Sequence, residues 1–278
     1  MDIMRVMTIE SYPENLRKAA RHMGHEDWYF GDELFRDDDV WLASYPRSGS
    51  HFVRFILVSA RHYLRYGNFP SDLSGMKAIP DVHSCRLEFA EGPPRILKTH
   101  FPFDPRYRRI IHLLRDPRDV VISYFHYSKG LPHLFLETAP DRYKLPQFVD
   151  LFLRGKVWPG NIREHSASYA KCADGAAYTR IRYEALLAEP QKEYRRLLDA
   201  AGIAFPSQTL DALIEHTSFA SMRRLHRPES ARAGLVEGNP DFILRSGVAG
   251  QHAQVLRDRT RERIASELDG YLKEYGYR

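Results

Sequence analysis

Cysteine is scarce: Cys85 and Cys172 are the two in 278 residues. They form no metal or redox spacing, so a reducing compartment is expected. Long apolar runs are missing too. The longest, at about residues 52–60, carries Arg54 and falls short of the roughly 20 residues a bilayer crossing needs. The opening MDIMRVMTIESYPENLRK has no apolar signal-peptide core. A soluble, cytoplasmic protein with no membrane partner is the expectation. No Gly/Ser/Pro-rich linker, low-complexity tract or repeat divides the chain, so residues 1–278 read as one domain. No dense Lys/Arg block with interleaved aromatics occurs, which argues against a nucleic-acid partner. The 41 Lys and Arg exceed the 36 Asp and Glu, giving a net charge of +5. That scattered excess suits a small polyanionic ligand. No clustered carboxylate set points to a metal.

What is present alternates. VWLAS, Val40–Ser44, reads as a short buried strand. Ser50–Tyr66 reads as a helix, with Phe52, Phe55, Ile56, Ala60, Tyr63 and Leu64 on one stripe and Gly67-Asn68 as the stop. Residues 95–99, 110–114 and 178–183 are further strand candidates, and Pro117 suits the first turn of the helix after the third strand. An amphipathic helix is expected at about 184–201, closed by Gly202. The last third reads as mostly helical, with an irregular region at 227–250. Strands alternating with helices predict an α/β fold: a central, mostly parallel sheet flanked by helices. Such sheets bind ligands at the carboxyl ends of their strands.

Two stretches sit at those ends. In Tyr45-Pro46-Arg47-Ser48-Gly49-Ser50-His51-Phe52, a strand passes through a glycine turn into a helix. Backbone N–H groups and the helix dipole converge there. Gly49 permits close approach, Ser48 and Ser50 add hydroxyls, and Arg47 adds a fork of charged donors. This is a P-loop-like phosphate or sulfate site; a plain turn with Ser50 capping a helix fits the same letters. The Walker pattern G-x-x-x-x-G-K-[ST] is absent. In the second stretch, RDPRDVVIS, Arg115 ends a strand and Ser123 lies two turns into a helix, so both can meet an anion. The alternative is a solvated helix start carrying Asp116, Arg118 and Asp119.

Together these stretches resemble the cytosolic-type sulfotransferases, which use 3′-phosphoadenosine 5′-phosphosulfate, PAPS. The signature Y-P-K-S-G-T-T-W is matched by residues 45–52, and R-[ND]-P-[KR]-D-V-x-x-S-Y by residues 115–124. Between them K-T-H appears as Lys98-Thr99-His100. Downstream are Tyr183-Glu184 for Y-E, Thr217-Ser218-Phe219-Ala220-Ser221-Met222 for T-S-F-x-x-M, and Arg245-Ser246-Gly247 for a late R-K-G. The motifs keep the family's order over about residues 40–250. The resemblance implies that the first loop, Arg47 to Phe52, holds the 5′-phosphosulfate. It implies that Arg115, Ser123 and the loop Arg245-Ser246-Gly247 hold the 3′-phosphate, and that Phe52, Tyr183, Thr217 and Phe219 contact adenine, with Ser218 and Met222 in the same motif. The reaction implied is transfer of a sulfuryl group from PAPS to a hydroxyl or amine, leaving PAP. His100 is then the general base, Lys98 the cation near the sulfuryl oxygens and Arg47 the cation at the leaving oxygen.

Three departures stand out. Arg47 replaces lysine, Phe52 replaces tryptophan, and the late R-K-G-x-x-G-D-W block reads Arg245-Ser246-Gly247-Val248-Ala249-Gly250-Gln251-His252. The family's dimer motif K-x-x-x-T-V-x-x-x-E is not recognisable after Gln251, so no dimer is implied. The small-molecule acceptor would meet residues 28–30, 81–89 and 125–169. The last of these holds Tyr127, His133, Phe135, Tyr143, Phe148 and Trp158. That aromatic density suits a phenol, sterol or aromatic natural product, or a sugar stacked on the rings, and it suits core packing equally. A P-loop nucleotide kinase or NTPase would need a loop lysine and a Mg²⁺ carboxylate, for which Asp104 and Asp116 are the nearest. A catalytically inactive PAP-binding homologue would bind PAP without transfer. The sulfotransferase and the inactive homologue predict that PAP raises the unfolding temperature while ATP with Mg²⁺ does not, and the kinase or NTPase predicts the reverse; a thermal-shift assay checks it.

Overall fold

The structure, a computed structural model, describes residues 35–82, 94–130, 143–170, 177–232 and 244–277. Four strands, β1 (Val40–Ser44), β2 (Ile96–Thr99), β3 (Arg109–Leu114) and β4 (Ala177–Arg182), form one sheet in the order β2-β1-β3-β4. Every pairing is parallel, with Leu42 opposite Lys98 and Ile111, and His112 opposite Arg180. The crossovers carry helices α1 (Ser50–Tyr66), α2 (Pro117–Gly130), α3 (Leu145–Leu153) and α4 (Ile162–Ser168). After β4 come α5 (Tyr183–Ala188), α6 (Pro190–Ala200), α7 (Leu210–His216), α8 (Phe219–Arg232), α9 (His252–Val255), α10 (Asp258–Glu267) and α11 (Asp269–Tyr275).

Strand periodicity explains why β1 is apolar throughout. Successive side chains point to opposite faces. Val40 and Leu42 pack with Ile111, Leu113, Ile56, Leu57, Leu197 and Leu198 on one face. Trp41 and Ala43 pack with Leu97, Ile110, Tyr107 and Tyr169 on the other. Trp41 stacks on Tyr107 with ring centroids 4.1 Å apart. A third cluster joins Val120, Val121 and Tyr124 of α2 to Phe148, Phe152, Tyr271 and Leu272. Helices therefore cover both faces of the sheet, as both-face burial of parallel strands requires.

Two expectations change. The helix expected at 184–201 is two helices, α5 and α6, divided at Glu189. Pro190 has no N–H for a continuing ladder but suits the first position of a new helix. Residues 227–232 of the region expected to be irregular are helical, because α8 runs to Arg232; residues 233–243 lie outside the described residues. The glycines that suggested irregularity start only at Gly234, and Pro228 removes one N–H without stopping the helix.

The amino ends of β1 and β2 are tied by a buried ion pair. Arg95 donates to both carboxylate oxygens of Asp39, each at 2.6 Å. At the opposite, carboxyl ends, each strand leads straight into a site motif: β1 into Tyr45, β2 into His100, β3 into Arg115 and β4 into Tyr183. Removing one partner of a buried pair strands the other's charge. Asp39→Ala is therefore expected to cost about 3–5 kcal/mol. Removing both charges with Asp39→Ala and Arg95→Met should cost less than that single change, measured by urea unfolding at a shared m-value.

Candidate active site

The loop after β1 has the geometry of an anion cradle. Gly49 caps α1 with φ 102°, and no side chain bonds to that helix end. Ser50 is thus the first helical residue, not its cap, and the N-terminal N–H groups remain for a ligand. A Cβ on Gly49 would lie 2.5 Å from the Tyr183 ring, so glycine is required by approach as well as by φ. Arg47 is held at φ 69°, a left-handed conformation costly for a side-chain-bearing residue. Its Nε donates to Ser123 Oγ at 3.2 Å, and its guanidinium lies 4.4 Å over the Tyr127 ring. Burial, with Arg115 and Arg245 nearby, lowers its pKa to about 10, so it stays cationic at neutral pH.

Arg115 joins this loop to the far end of the chain. It donates to the carbonyls of Arg47 at 3.2 Å and Val248 at 3.0 Å, and its guanidinium sits 4.4 Å over the Tyr183 ring. Tyr183 in turn donates to the Gly247 carbonyl at 3.0 Å. A Cβ on Gly247, with φ 66°, would overlap the Phe219 ring. Each of two glycines therefore lies against an aromatic face. Among the described residues, Arg115 Nε and Arg245 Nε are buried without a hydrogen-bond partner. Guanidinium donors left over in a polar cleft fit an incoming anion.

The helix start at 116–119 is not solvated. Asp119 is fully buried and its two oxygens accept from Gly250 N at 2.6 Å and His252 N at 2.9 Å, fixing the late loop. Asp116 is also buried and is chelated by Arg118, as Asp104 is by Arg106. Both candidate Mg²⁺ carboxylates are thus engaged by arginines. Among the described residues no group of three or more His, Cys, Asp or Glu could hold a metal.

His100 follows β2. Its Nδ1 lies 2.7 Å from the Ser44 carbonyl, which can only accept. Nδ1 therefore carries the proton and the ring lone pair lies on Nε2. Trp158 meets the ring edge-on at 5.4 Å. His165 Nε2 donates to the His100 carbonyl at 3.1 Å, and burial pulls His165 down to about 4, keeping it a neutral donor. Lys98, buried beside His100, is ion-paired to Asp81. Burial lowers the Lys98 pKa and Asp81 opposes that shift.

One cavity of about 590 Å³ gathers these groups. Arg47, Gly49, Ser50, His51, Phe52, Lys98, His100, Arg115, Ser123, Tyr183, Ser218, Phe219, Met222, Arg245, Ser246 and Gly247 all line it. Two expected contacts do not. Ser48 is buried beneath the loop, its N–H bonded to the Tyr45 carbonyl. Thr217 is fully buried; its hydroxyl bonds Tyr194 at 2.9 Å and the Leu213 carbonyl at 2.8 Å. Tyr127 and Trp158 line the cavity, whereas Phe148 is core. Residues 28–30, 83–89, His133 and Phe135 lie outside the described residues. Sequence reasoning missed Arg54, Tyr124 and Tyr194 in the wall. Arg54 left a signal, a charge inside an apolar helical stretch.

A sulfotransferase-domain family model matches residues 37–267. Mouse Sulfotransferase 2B1 is 26% identical over 230 residues, which span 77% of this chain and 65% of that protein. Mouse Sulfotransferase 1A1 is 26% identical over 205 residues, 67% of each. Among solved structures, mouse sulfotransferase SULT7A1 complexed with PAP superposes with a TM-score of 0.64 at 20% identity, over 87% of this chain and 90% of that one. Retinol dehydratase in complex with androsterone and the inactive cofactor PAP gives 0.65 at 21% identity, over 86% and 82%. At those identities the superpositions establish the fold, while the family model spans most of the chain. No helix among the described residues is long and apolar enough to cross a membrane. The chain belongs to the sulfotransferase family, whose members take their sulfuryl group from PAPS.

Proposed function

We propose that this chain transfers the sulfuryl group of PAPS to a hydroxyl, or an amine, of a small aromatic or apolar acceptor, with His100 as general base. The observation that carries the reading is the His100 tautomer. The Ser44 carbonyl at 2.7 Å holds the Nδ1 proton and puts the lone pair on Nε2, in the same cavity as the two arginine sites. PAPS, when bound, supplies the sulfuryl group and a good leaving phosphate. The protein's share is positioning, charge and one proton transfer.

In this reading the loop from Arg47 to Phe52 holds the 5′ end, with Ser48 supporting it from below. Arg47 faces the oxygen that departs, where negative charge grows. Lys98 turns from Asp81 toward the sulfuryl oxygens. Arg115, Ser123 and the Arg245-Ser246-Gly247 loop take the 3′-phosphate. Phe52, Tyr183, Ser218, Phe219 and Met222 surround adenine, and Thr217 acts through Tyr194 rather than by contact. Tyr124, Tyr127 and Trp158 form the aromatic wall on the His100 side, which supports a flat or apolar acceptor. The reading takes the chain as a single cytoplasmic domain, as the scarce cysteine and missing linker suggest.

A panel of phenols, sterols, amines and sugars with labelled PAPS tests it. The wild-type protein is expected to sulfate at least one aromatic or apolar acceptor. His100→Ala should lower turnover about 10²–10⁴-fold, the usual worth of a positioned base, with PAP affinity changed only a few-fold. Retained turnover in His100→Ala would remove the base assignment. PAP binding without transfer to any acceptor would favour an inactive nucleotide-binding homologue.

A further inference from the structure

His51 stands where the signature Y-P-K-S-G-T-T-W has its second threonine, and neither the base nor the phosphate-gripping arginines account for it. It lies in the first turn of α1 beside the Gly49 cradle and lines the cavity. Among the described residues its ring nitrogens have no hydrogen-bond partner. Its ring contact is edge-on to His226 of α8, at 6.3 Å between centroids. The titratable and charged groups acting on it are Arg54 on α1, His226 on α8, Lys98 on β2 and Arg47 in the loop. Asp81, the carboxylate that acts on Arg54 in this cluster, is already paired with Lys98. Burial first, and these cations next, hold the His51 imidazole well below its usual range, so it is neutral at pH 7 before any ligand arrives.

A polyanion placed in this cradle reverses that balance. It neutralises Arg47, Arg54 and Lys98 as seen from His51 and offers the ring an acceptor for a charged N–H. We propose that His51 is a proton-coupled ligand of the donor nucleotide: it takes up a proton as the nucleotide binds and holds the 5′-phosphate end as an imidazolium. The proposal rests on the reading of this cavity as the donor site. A neutral hydroxyl at this position would bind the same oxygens with no coupling to pH. With His51, affinity is full at low pH. It falls about tenfold per pH unit between the ligand-free and the bound pKa, then levels off.

Calorimetry of PAP binding in buffers of different ionisation enthalpy, near pH 7.5, counts the protons taken up. The wild-type protein is expected to take up about half to one proton more per PAP than His51→Thr or His51→Asn, whereas His100→Ala should match the wild type. PAP's own phosphates titrate equally in every arm. His51→Thr restores the residue of the signature, which makes it the variant best placed to fold. Should both His51 variants misfold, wild-type PAP affinity from about pH 6.5 to 8.5 decides. A fall of several-fold beyond PAP's own titration supports the coupling, and a flat profile overturns it. Equal proton uptake in wild type and variants overturns this inference alone. Absence of PAP binding by the wild-type protein overturns the donor-site reading and this inference with it.

Discussion

The structure is organised around one buried cation that carbonyls orient and with which no carboxylate among the described residues forms an ion pair. Arg115 is held by the carbonyls of Arg47 and Val248 and by the face of Tyr183. Carbonyls and rings fix a guanidinium in place without cancelling its charge. At the other end of the sheet, Arg95 is fully matched by Asp39. The same residue type thus does two jobs across about one strand length. Where the strands begin, it is neutralised and ties the fold. Where they end, it faces the cavity with carbonyls and a ring as its partners, and the strained φ of Arg47 belongs to the same arrangement.

The late loop depends on that cation and on a carboxylate that does not touch it. Asp119 grips the backbone N–H groups of Gly250 and His252, and Arg115 holds the Val248 carbonyl two residues before them. Arg245, hydrogen-bonded to Gln251, is then presented from a braced loop. Ser246 has replaced a lysine of the related motif, so one mobile charge is gone. The anchoring through Asp119 places the remaining arginine by backbone contacts, which any sequence in that stretch can supply.

Much of this was legible because it is local. The β1 alternation, the α1 stripe and the glycine turn between them are each set by neighbours a few residues apart. The order of motifs then located the cavity's floor. What could not be read depends on partners far along the chain. Asp119 looked like an ordinary helix-start acid, since nothing nearby marks the amides 131 and 133 positions downstream. Thr217 looked like a ligand contact because its hydroxyl's partner, Tyr194, is on another helix. Asp81 gave no sign that it would claim Lys98, the cation expected at the sulfuryl group. The break at Pro190 was legible in principle, but the amphipathic stripe on either side of it outweighed one residue.

With His100 as the proposed base, the carbonyl of Ser44 would bear on the catalytic cycle as well as on the resting state. Because it occupies one nitrogen of His100 throughout, the imidazole cannot relay a captured hydrogen ion out through its rear into the protein. Loading and unloading share a single doorway. In the proposed reaction the ring would be reset only from the side on which the acceptor stood, so a return to readiness would wait on the departure of the product and the arrival of water in its place.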